Sequence, residues 1–310
     1  MLTWNRRDDA LACLDSLRDE VGDNDTVIVC DNGSRDGTED AIRSRHPWAE
    51  VIQNGTNLGF AGGNNPGLRA ALDRGFEWVL LLNNDTTVPV GALAGLLAYA
   101  TPRRTVGAFQ PLIVKAGDGR RIDSAGQTVL RRTGMVDALM DRPVADAPRA
   151  PVPVFGACAA AALVRASALR RSGLFDEDLF AICEDVDLMF RVRLAGLEVE
   201  LVPHVRVLHK RGISVSARTD ESTLARRFWI DRNVVALALR YWPTRYLLAA
   251  SPRLAFRSVR ALSRGRRVRG HRCLPLWRRS CGVRRANRRA MRRLGLDHWF
   301  AGRSTAGPDR

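Results

Sequence analysis

The sequence predicts an α/β fold: a mostly parallel sheet flanked by helices, followed by a basic helical extension at the carboxyl end. Three observations predict it. Apolar strand-like runs alternate with helical stretches through the first 115 residues, and each run stops abruptly in polar turn residues. The charge lies at one end: residues 251–310 hold 18 arginines against Asp297 and Asp309 and so carry the whole net charge of +16, whereas the 31 basic and 31 acidic side chains of residues 1–250 cancel. At 310 residues and 45% hydrophobic, the chain is long enough for one large domain plus an appendage, which rules out disorder throughout.

A first strand is predicted over residues 1–5, shorter than its neighbours, which points to a trimmed start or a start codon placed downstream of the true one. A helix over 8–20 carries Leu11, Leu14 and Leu17 on one face. Residues 26–31 (TVIVCD) read as a buried parallel strand, 50–53 as a short one and 78–82 (WVLLL) as a third, with helices over 38–44 and 67–74 between them. This order builds a right-handed sheet covered on both faces, with ligands beyond the carboxyl ends of the strands. Residues 101–155, rich in Pro, Gly, Arg and Asp, are expected to make a long surface excursion with a hairpin near 123–132. Residues 154–164 (VFGACAAAALV) return to the core and 167–172 start a short helix. Another helix over 184–195 closes at Gly196, and 198–208 is expected as an edge strand interrupted by Pro203.

Four segments have the residue types that chemistry needs. Asp31 opens the turn DNGSRDGT directly after a buried strand; Asx-turns and a Thr38 cap account for such a turn, and a carboxylate there can also accept the imide N–H of a pyrimidine. NLGFAGGNN (57–65) leads into a helix, and its glycines allow backbone approach to a diphosphate. LLLNNDTTV (80–88) ends an apolar strand on Asn83-Asn84-Asp85, where either a turn-capping acid or an oxygen ligand for Mg²⁺ or Mn²⁺ belongs. Glu184, Asp185 and Asp187 crowd three carboxylates into four residues at a helix start; the helix dipole explains one of them, and mutual repulsion raises the proton affinity of another. His209 follows a strand, where it is either a surface histidine or a clamp beside a diphosphate or metal. There is no GxGxxG after the first strand and no GxxxxGK[ST], so dinucleotide dehydrogenases and P-loop ATPases are excluded. The six cysteines form no CxxC pair and are expected as reduced thiols.

In this order, LTWN, VIVCDNGSRDGT, NLGFAGGNNPG, LLLNNDTTV, FGACAAAALVRASALRRSGLFDEDLFAICEDVDLMFRVRLAG, VLHKRGIS and WIDRN resemble the family 2 glycosyltransferases over residues 2–242, and within them the rhamnosyltransferase-like branch that builds bacterial cell-surface polysaccharides. The resemblance implies a GT-A fold over 1–220 with a helical, arginine-rich region over 221–310. It implies an inverting transfer of a sugar, rhamnose favoured over galactofuranose, glucose or mannose, from a nucleoside diphosphate donor to a glycan or glycolipid acceptor. By the same resemblance Thr3 and Trp4 line the nucleotide pocket, Asp31 pairs with the base, Asn64 and Asn65 lie near the nucleotide sugar, and Asp85 is the last acid of a DxD-like motif for a divalent cation, Mg²⁺ or Mn²⁺. Asp185 of the Glu184-Asp185 pair is the catalytic base, Asn84 and Glu184 are nucleotide-sugar-binding residues, and His209, also on the donor, belongs to a carboxyl-terminal loop that closes on the diphosphate. Asn83 and Asn84 depart from relatives that carry acids there. One protein carboxylate is then left for the metal, and diphosphate and water supply the rest.

The arginine end seeks polyanions. Arg253, Arg257, Arg260 and Arg264 fall on one helical stripe, and Arg284, Arg285, Arg288, Arg289, Arg292 and Arg293 on a second. A nucleic-acid partner is not expected, because the aromatic interleaving that stacks bases is sparse: Phe256, Trp277, Trp299 and Phe300 only. A sugar nucleotidyltransferase needs a glycine-rich loop after the first strand, which Asn5-Arg6-Arg7-Asp8 is not. No window approaches the roughly 18–20 apolar residues of a membrane span and 1–5 has no secretory signature, so the expected location is cytoplasmic, peripheral on the inner face of the membrane through the basic helices.

Overall fold

The computed structural model describes residues 1–117, 119–130, 134–210, 220–265 and 272–301. The first half alternates as the apolar runs dictate: β1 (Leu2–Thr3), α1 (Arg7–Leu17), β2 (Ile28–Asp31), α2 (Thr38–Arg45), β3 (Glu50–Gln53), α3 (Gly59–Asp73) and β4 (Trp78–Leu82). Strands β1, β2 and β3 pair in parallel, and a parallel bridge from Leu2 to Asn83 joins them to the end of β4. The chain continues through β5 (Thr86–Thr87), α4 (Ala92–Ala100), β6 (Val106–Lys115), β7 (Ile122–Ser124), β8 (Gln127–Leu130), β9 (Gly134–Asp137), β10 (Val152–Pro153) and β11 (Ala161–Arg165). Helices α5 (Ala166–Ser172) and α6 (Glu184–Leu194) then precede β12 (Glu198–His209). The second half of the sheet runs β4, β11, β6, β12, β10; β11 is antiparallel to both neighbours and β6 is parallel to β12, so the complete sheet is mixed.

Period-two alternation gives each central strand two apolar faces. Ala108, Leu112 and Val114 of β6 and Ala162 and Val164 of β11 pack with Leu68 of α3, Leu169 of α5 and Leu188 and Val192 of α6. Phe109, Ile113, Ala161 and Leu163 face the other way, onto Leu14 and Leu17 of α1 and Leu96 of α4.

Two expectations for this half are corrected. Residues 101–155 are not all surface: Val106–Lys115 is a buried central strand, whose pattern Pro111 obscures in the sequence. Residues 198–208 are not an edge strand, since β12 lies against β6 along its length while β10 and β5 take up its other side. Pro203 is accommodated by a register shift between Val202 and Arg206, which takes it out of the ladder. The expected hairpin is present as β8 paired with β9.

The carboxyl-terminal residues form α7 (Asp220–Tyr241), α8 (Thr244–Ala249), α9 (Ser251–Gly265) and α10 (Cys273–Arg293), with a 3-10 turn at Leu296–Ala301. They share a core with α6 and the segment before β11: Phe155, Val186 and Phe190 pack with Leu237, Tyr241, Trp242, Met291, Trp299 and Phe300, and the Phe190 and Tyr241 rings stack at 4.1 Å. The stripe expected over 253–264 does not face solvent as a unit. Arg257 Nη1, Arg260 Nε and Arg264 Nη1 converge on the buried Asp231 carboxylate of α7 at 2.9, 3.0 and 2.6 Å. In the second stripe Arg288 is buried and pairs with Asp297, and Arg284 donates to the Ala238 and Leu239 carbonyls.

Removing a buried charge that holds three cations leaves them to repel one another. Asp231→Ala is therefore expected to cost on the order of 2–3 kcal/mol, at the low end of broken buried pairs because the arginines are partly exposed. Chemical denaturation checks this; a stability within about 0.5 kcal/mol of wild type would show the cluster to be solvated.

Candidate active site

The carboxyl ends of β1, β2 and β4 meet at one rim. Thr3 ends β1, is buried, and accepts a hydrogen bond on Oγ1 from Asn84 Nδ2 at 3.1 Å; Trp4 follows it and is about half exposed, at 49%. Asp31 ends β2 with both oxygens engaged: Oδ1 takes the Ser34 N–H and hydroxyl, and Oδ2 takes Gln53 Nε2 at 3.0 Å. The turn that follows is thus held by its own aspartate, and Gly33 passes so close to Gly55 that a Cβ there would sit 2.8 Å from its carbonyl carbon.

The NLGFAGGNN segment is not a loop. It is the first half of α3, and its glycines serve packing: a Cβ on Gly63 would lie 2.6 Å from both Asn32 Oδ1 and Leu2 Cδ1, and one on Gly59 would meet Phe180. Asn64 Nδ2 donates to the Phe60 carbonyl one turn back. Asn65 ties α3 to the 175–177 segment, donating to the Phe175 carbonyl and Glu177 Oε1 and accepting the Phe175 N–H.

Asp85 follows β4 and meets the end of β12. His209 is the last residue of β12 rather than part of a loop; the segment that follows it, 211–219, lies outside the described residues. Its Nε2 stands 3.0 Å from Asp85 Oδ1 and its Nδ1 2.8 Å from Asp123 Oδ2 of β7, with the imidazole almost wholly buried. Burial alone would lower its pKa, but the hydrogen bonds and charges of Asp123 and Asp85 outweigh that and push it up to about 9. Burial likewise opposes ionisation of Asp85, yet the His209 hydrogen bond and charge leave its carboxyl below the usual range.

The three acids at the start of α6 have three different environments. Asp187 is buried and fully paired: Arg191 Nε, Arg240 Nη1 and the Tyr241 hydroxyl each donate to it at 2.8 Å, and the charges of Arg191 and Arg240 overcome burial to keep it ionised. Glu184 is buried with Oε2 unpartnered, and burial together with the neighbouring Asp185 charge raises its pKa well above the ordinary value. Asp185 lies between these extremes. Its Oδ2 accepts Gln127 Nε2 at 2.8 Å and the Ala159 N–H at 3.3 Å, and Oδ1 the Val186 N–H. Burial, then the charge of Asp137, lift its pKa to about 6 against those hydrogen bonds. A carboxylate poised there takes a proton from an alcohol near neutral pH.

The turn before β11 brings the two acidic centres together. Ala159 donates to Asp185, and the adjacent Ala160 carbonyl accepts the Asn83 N–H at 3.0 Å. Among the described residues no group of three or more His, Cys, Asp or Glu side chains is arranged to hold a metal ion. Asp85 and His209 still fit a divalent cation as two ligands on one side, with Asp123 orienting the imidazole from behind.

Comparison with known proteins gives the family. The sequence model of Glycosyl transferase family 2 matches residues 1–173. The N-acetylglucosaminyl-diphospho-decaprenol L-rhamnosyltransferase of Mycobacterium tuberculosis is 31% identical over 272 residues, covering 79% of this chain and 87% of that protein. The chain belongs to glycosyltransferase family 2. This family 2 glycosyltransferase is also similar to the pre-mycofactocin glycosyltransferase of Mycobacterium tuberculosis, at 29% identity over 69% of this chain and 43% of the relative. Among solved structures, the mannosyltransferase PcManGT of Pyrobaculum calidifontis, determined with GDP-Man and Mn²⁺, covers 97% of this chain and 86% of its own at 20% identity, with a TM-score of 0.52. It shares the fold.

Three residues of the candidate site escape sequence reasoning. Asp123 and Gln127 lie in the stretch read as a surface excursion; the signal was an acid isolated between Ile122 and Ser124 in a short buried strand. Arg6, dismissed with its loop, lies near enough to Asp85 to favour its ionised form.

With Asp185 as the base, the kcat/KM profile is expected to fall below about pH 6, and because Gln127 donates to the ionised form of Asp185, Gln127→Leu is expected to shift that acid limb to higher pH. An unmoved limb would show that a different group titrates. The same raised value bears on stability. The folded state holds this proton more tightly than the unfolded chain, whose carboxyl titrates near 3.8, so stability declines as pH rises from about 4 through 6 and stays lowered above. Asp185→Asn removes that loss, and the variant should melt above wild type at about pH 8 while gaining nothing below about pH 4.

Proposed function

We propose that this chain is an inverting, divalent-cation-dependent glycosyltransferase that moves a sugar, rhamnose in preference to galactofuranose, glucose or mannose, from a nucleoside diphosphate donor to a hydroxyl of a lipid-linked cell-wall glycan. The name of the Mycobacterium tuberculosis relative supports both the sugar and the diphospholipid acceptor. The observation that carries the reaction type is the half-buried Asp185 carboxylate, whose pKa is raised to about 6 and which is linked through the 159–160 turn to the segment that bears Asp85. Residues 1–220 carry the chemistry, and 221–310 form the helical region that holds the enzyme on the inner face of the membrane.

In this reading the donor lies over the ends of β1, β2 and β4. Asp31 pairs with the base, Thr3 and the exposed Trp4 line its pocket, and Asn64, Asn65 and Asn84 bound the sugar side. Asp85 and His209 would hold the cation, which supplies the positive charge that a leaving diphosphate needs; the body of the protein has only Lys115 and Lys210 as lysines. Asp185 takes the proton of the acceptor hydroxyl as its oxygen bonds to the anomeric carbon from the face opposite the diphosphate. The bond from that carbon to the diphosphate oxygen breaks, and the electron pair leaves with the nucleoside diphosphate. Burial, and the Asp185 charge beside it, push the Glu184 carboxyl well above its ordinary pKa, so ionisation of Glu184 next to Asp185 is disfavoured. PcManGT, solved with Mn²⁺, supports a divalent ion without choosing between Mg²⁺ and Mn²⁺.

The test is release of nucleoside diphosphate by the purified protein with dTDP-rhamnose and a lipid-linked N-acetylglucosaminyl diphosphate, with and without divalent ions. No divalent-dependent release with any nucleotide sugar would overturn the reading. Within it, Asp185→Asn should lower transfer by roughly 10²–10⁴-fold while donor binding survives. Near-normal turnover would move the base to Glu184, since Asp187 is fully paired. Asp85→Ala should abolish metal-assisted donor binding in calorimetry, and Asn84→Ala should weaken it less; equal losses would make Asn84 a direct ligand.

A further inference from the structure

Helix α9 is inverted relative to an ordinary surface helix. Its arginines 257, 260 and 264 turn inward onto Asp231, and its outward face is Pro252, Ala255, Phe256, Val259 and Leu262. Phe256, Val259 and Leu262 are 62%, 65% and 44% exposed, and Leu248 of α8 is 67% exposed. Isolated exposed apolar residues need no explanation. Phe256, Val259 and Leu262 recur every three residues, however, and so form a continuous row along one helix face.

The row's own helix carries cations, and α10 carries more. Arg253 is exposed on the same helix, and the Arg260 guanidinium lies 5.2 Å from the Phe256 ring centre. On α10, Arg278, Arg285, Arg289, Arg292 and Arg293 are exposed, and none pairs with a carboxylate among the described residues. A second copy of this chain would set arginines against arginines, and a nucleic acid offers phosphates but no apolar phase for Phe256, Val259 and Leu262. An anionic bilayer offers both, headgroup phosphates for the guanidinium groups and acyl chains for the row. We infer that the outer face of α8 and α9 inserts into the interfacial layer of an anionic leaflet, with the exposed arginines of α10 drawn to its headgroups. This rests on the membrane placement given under Proposed function and names the residues that perform it.

The position suits the chemistry. α9 packs on α7, and from α7 the Asn233 amide donates to the carbonyls of Leu179, Ala181 and Ile182 at 2.9, 2.9 and 2.7 Å, the segment that leads directly into Glu184 and Asp185. An inserted α9 thus lies behind the segment bearing the base, which keeps an acceptor anchored in the same leaflet within reach of the site.

The experiment is flotation of the full-length protein with phosphatidylcholine vesicles containing or lacking phosphatidylglycerol, at low and high salt, for wild type, the double substitution Phe256→Ser with Val259→Ser, and the conservative Phe256→Trp. Wild type is expected to bind the anionic vesicles and to keep part of that binding at high salt. The double variant should lose roughly tenfold or more in vesicle affinity while transferring sugar to a water-soluble acceptor at the wild-type rate, and Phe256→Trp should bind as wild type does. If the double variant binds like wild type and salt releases both completely, the arginines act alone: insertion is overturned and peripheral attachment stands. If wild type binds no vesicle, attachment and insertion both fall. If sedimentation shows a dimer that the double variant dissolves, the row is an interface between copies and the inference is wrong.

Discussion

Three carboxylates within one turn of α6 cannot all be buried as anions, and the way this constraint is met organises the rest of the molecule. A buried carboxylate stays ionised only where cations and donors replace water, and elsewhere it keeps its proton. Asp187 is the first case, with Arg191, Arg240 and the Tyr241 hydroxyl on its two oxygens. Glu184 is the second, with no partner on Oε2. Asp185 lies between them, its pKa raised to about 6 by burial and the charge of Asp137 against three neutral hydrogen bonds, so its neighbours set its proton affinity as much as its own position does.

The partner that fixes Asp187 comes from α7, so the site depends on the carboxyl-terminal helices. Arg240 bridges Asp187 and Asp176, and the stacked Phe190 and Tyr241 rings seal the contact between α6 and α7. Asp231 repeats the device one layer out, gathering three arginines of α9, and Asp297 pairs with Arg288. A region with two acids against 18 arginines folds onto the protein because acids outside it, Asp176, Asp178, Asp187 and Asp231, accept some of its charge or hold the α7 helix it packs on. Among the described residues, Arg253, Arg278, Arg285, Arg289, Arg292 and Arg293 have no such partner and are exposed.

What could be read from the sequence follows from how local each signal is. Trp78–Leu82 and Glu50–Gln53 appear with the bounds their apolar runs give, because a short buried strand is written in contiguous residues. The acids Asp85 and Asp185 stand out because a carboxylate at the end of an apolar run is costly without a use. The central strand β6 was hidden by Pro111, and the glycines of α3 looked like a ligand loop because close packing against Asn32 and Leu2 calls for the same residue as close approach of a ligand. Asp123 and Gln127 could not be assigned at all, since their partners His209 and Asp185 lie 86 and 58 residues away. The inward turn of Arg257, Arg260 and Arg264 was equally out of reach: a helical stripe fixes which residues share a face, and only Asp231 on another helix decides which way that face looks.

The two acidic centres differ in how their charge is balanced, and that difference separates their tasks. Asp85 and Asp123 enclose the His209 imidazolium, so in this structure the positive charge between them is a proton held up to about pH 9. In the proposed reading a cation held at Asp85 would take the place of that proton rather than add to it, and the local charge would then rise by one unit instead of two. Among the described residues no cation pairs with Asp185: its hydrogen bonds come from the neutral Gln127 amide and from backbone N–H groups, and the charge of Asp137 opposes its ionisation. Neutral donors hold a carboxylate in place without removing its basicity, whereas cations hold it and suppress that basicity, as they do at Asp187. Asp85 is thus suited to remain an anion throughout, and Asp185 to gain and lose a proton in each turnover.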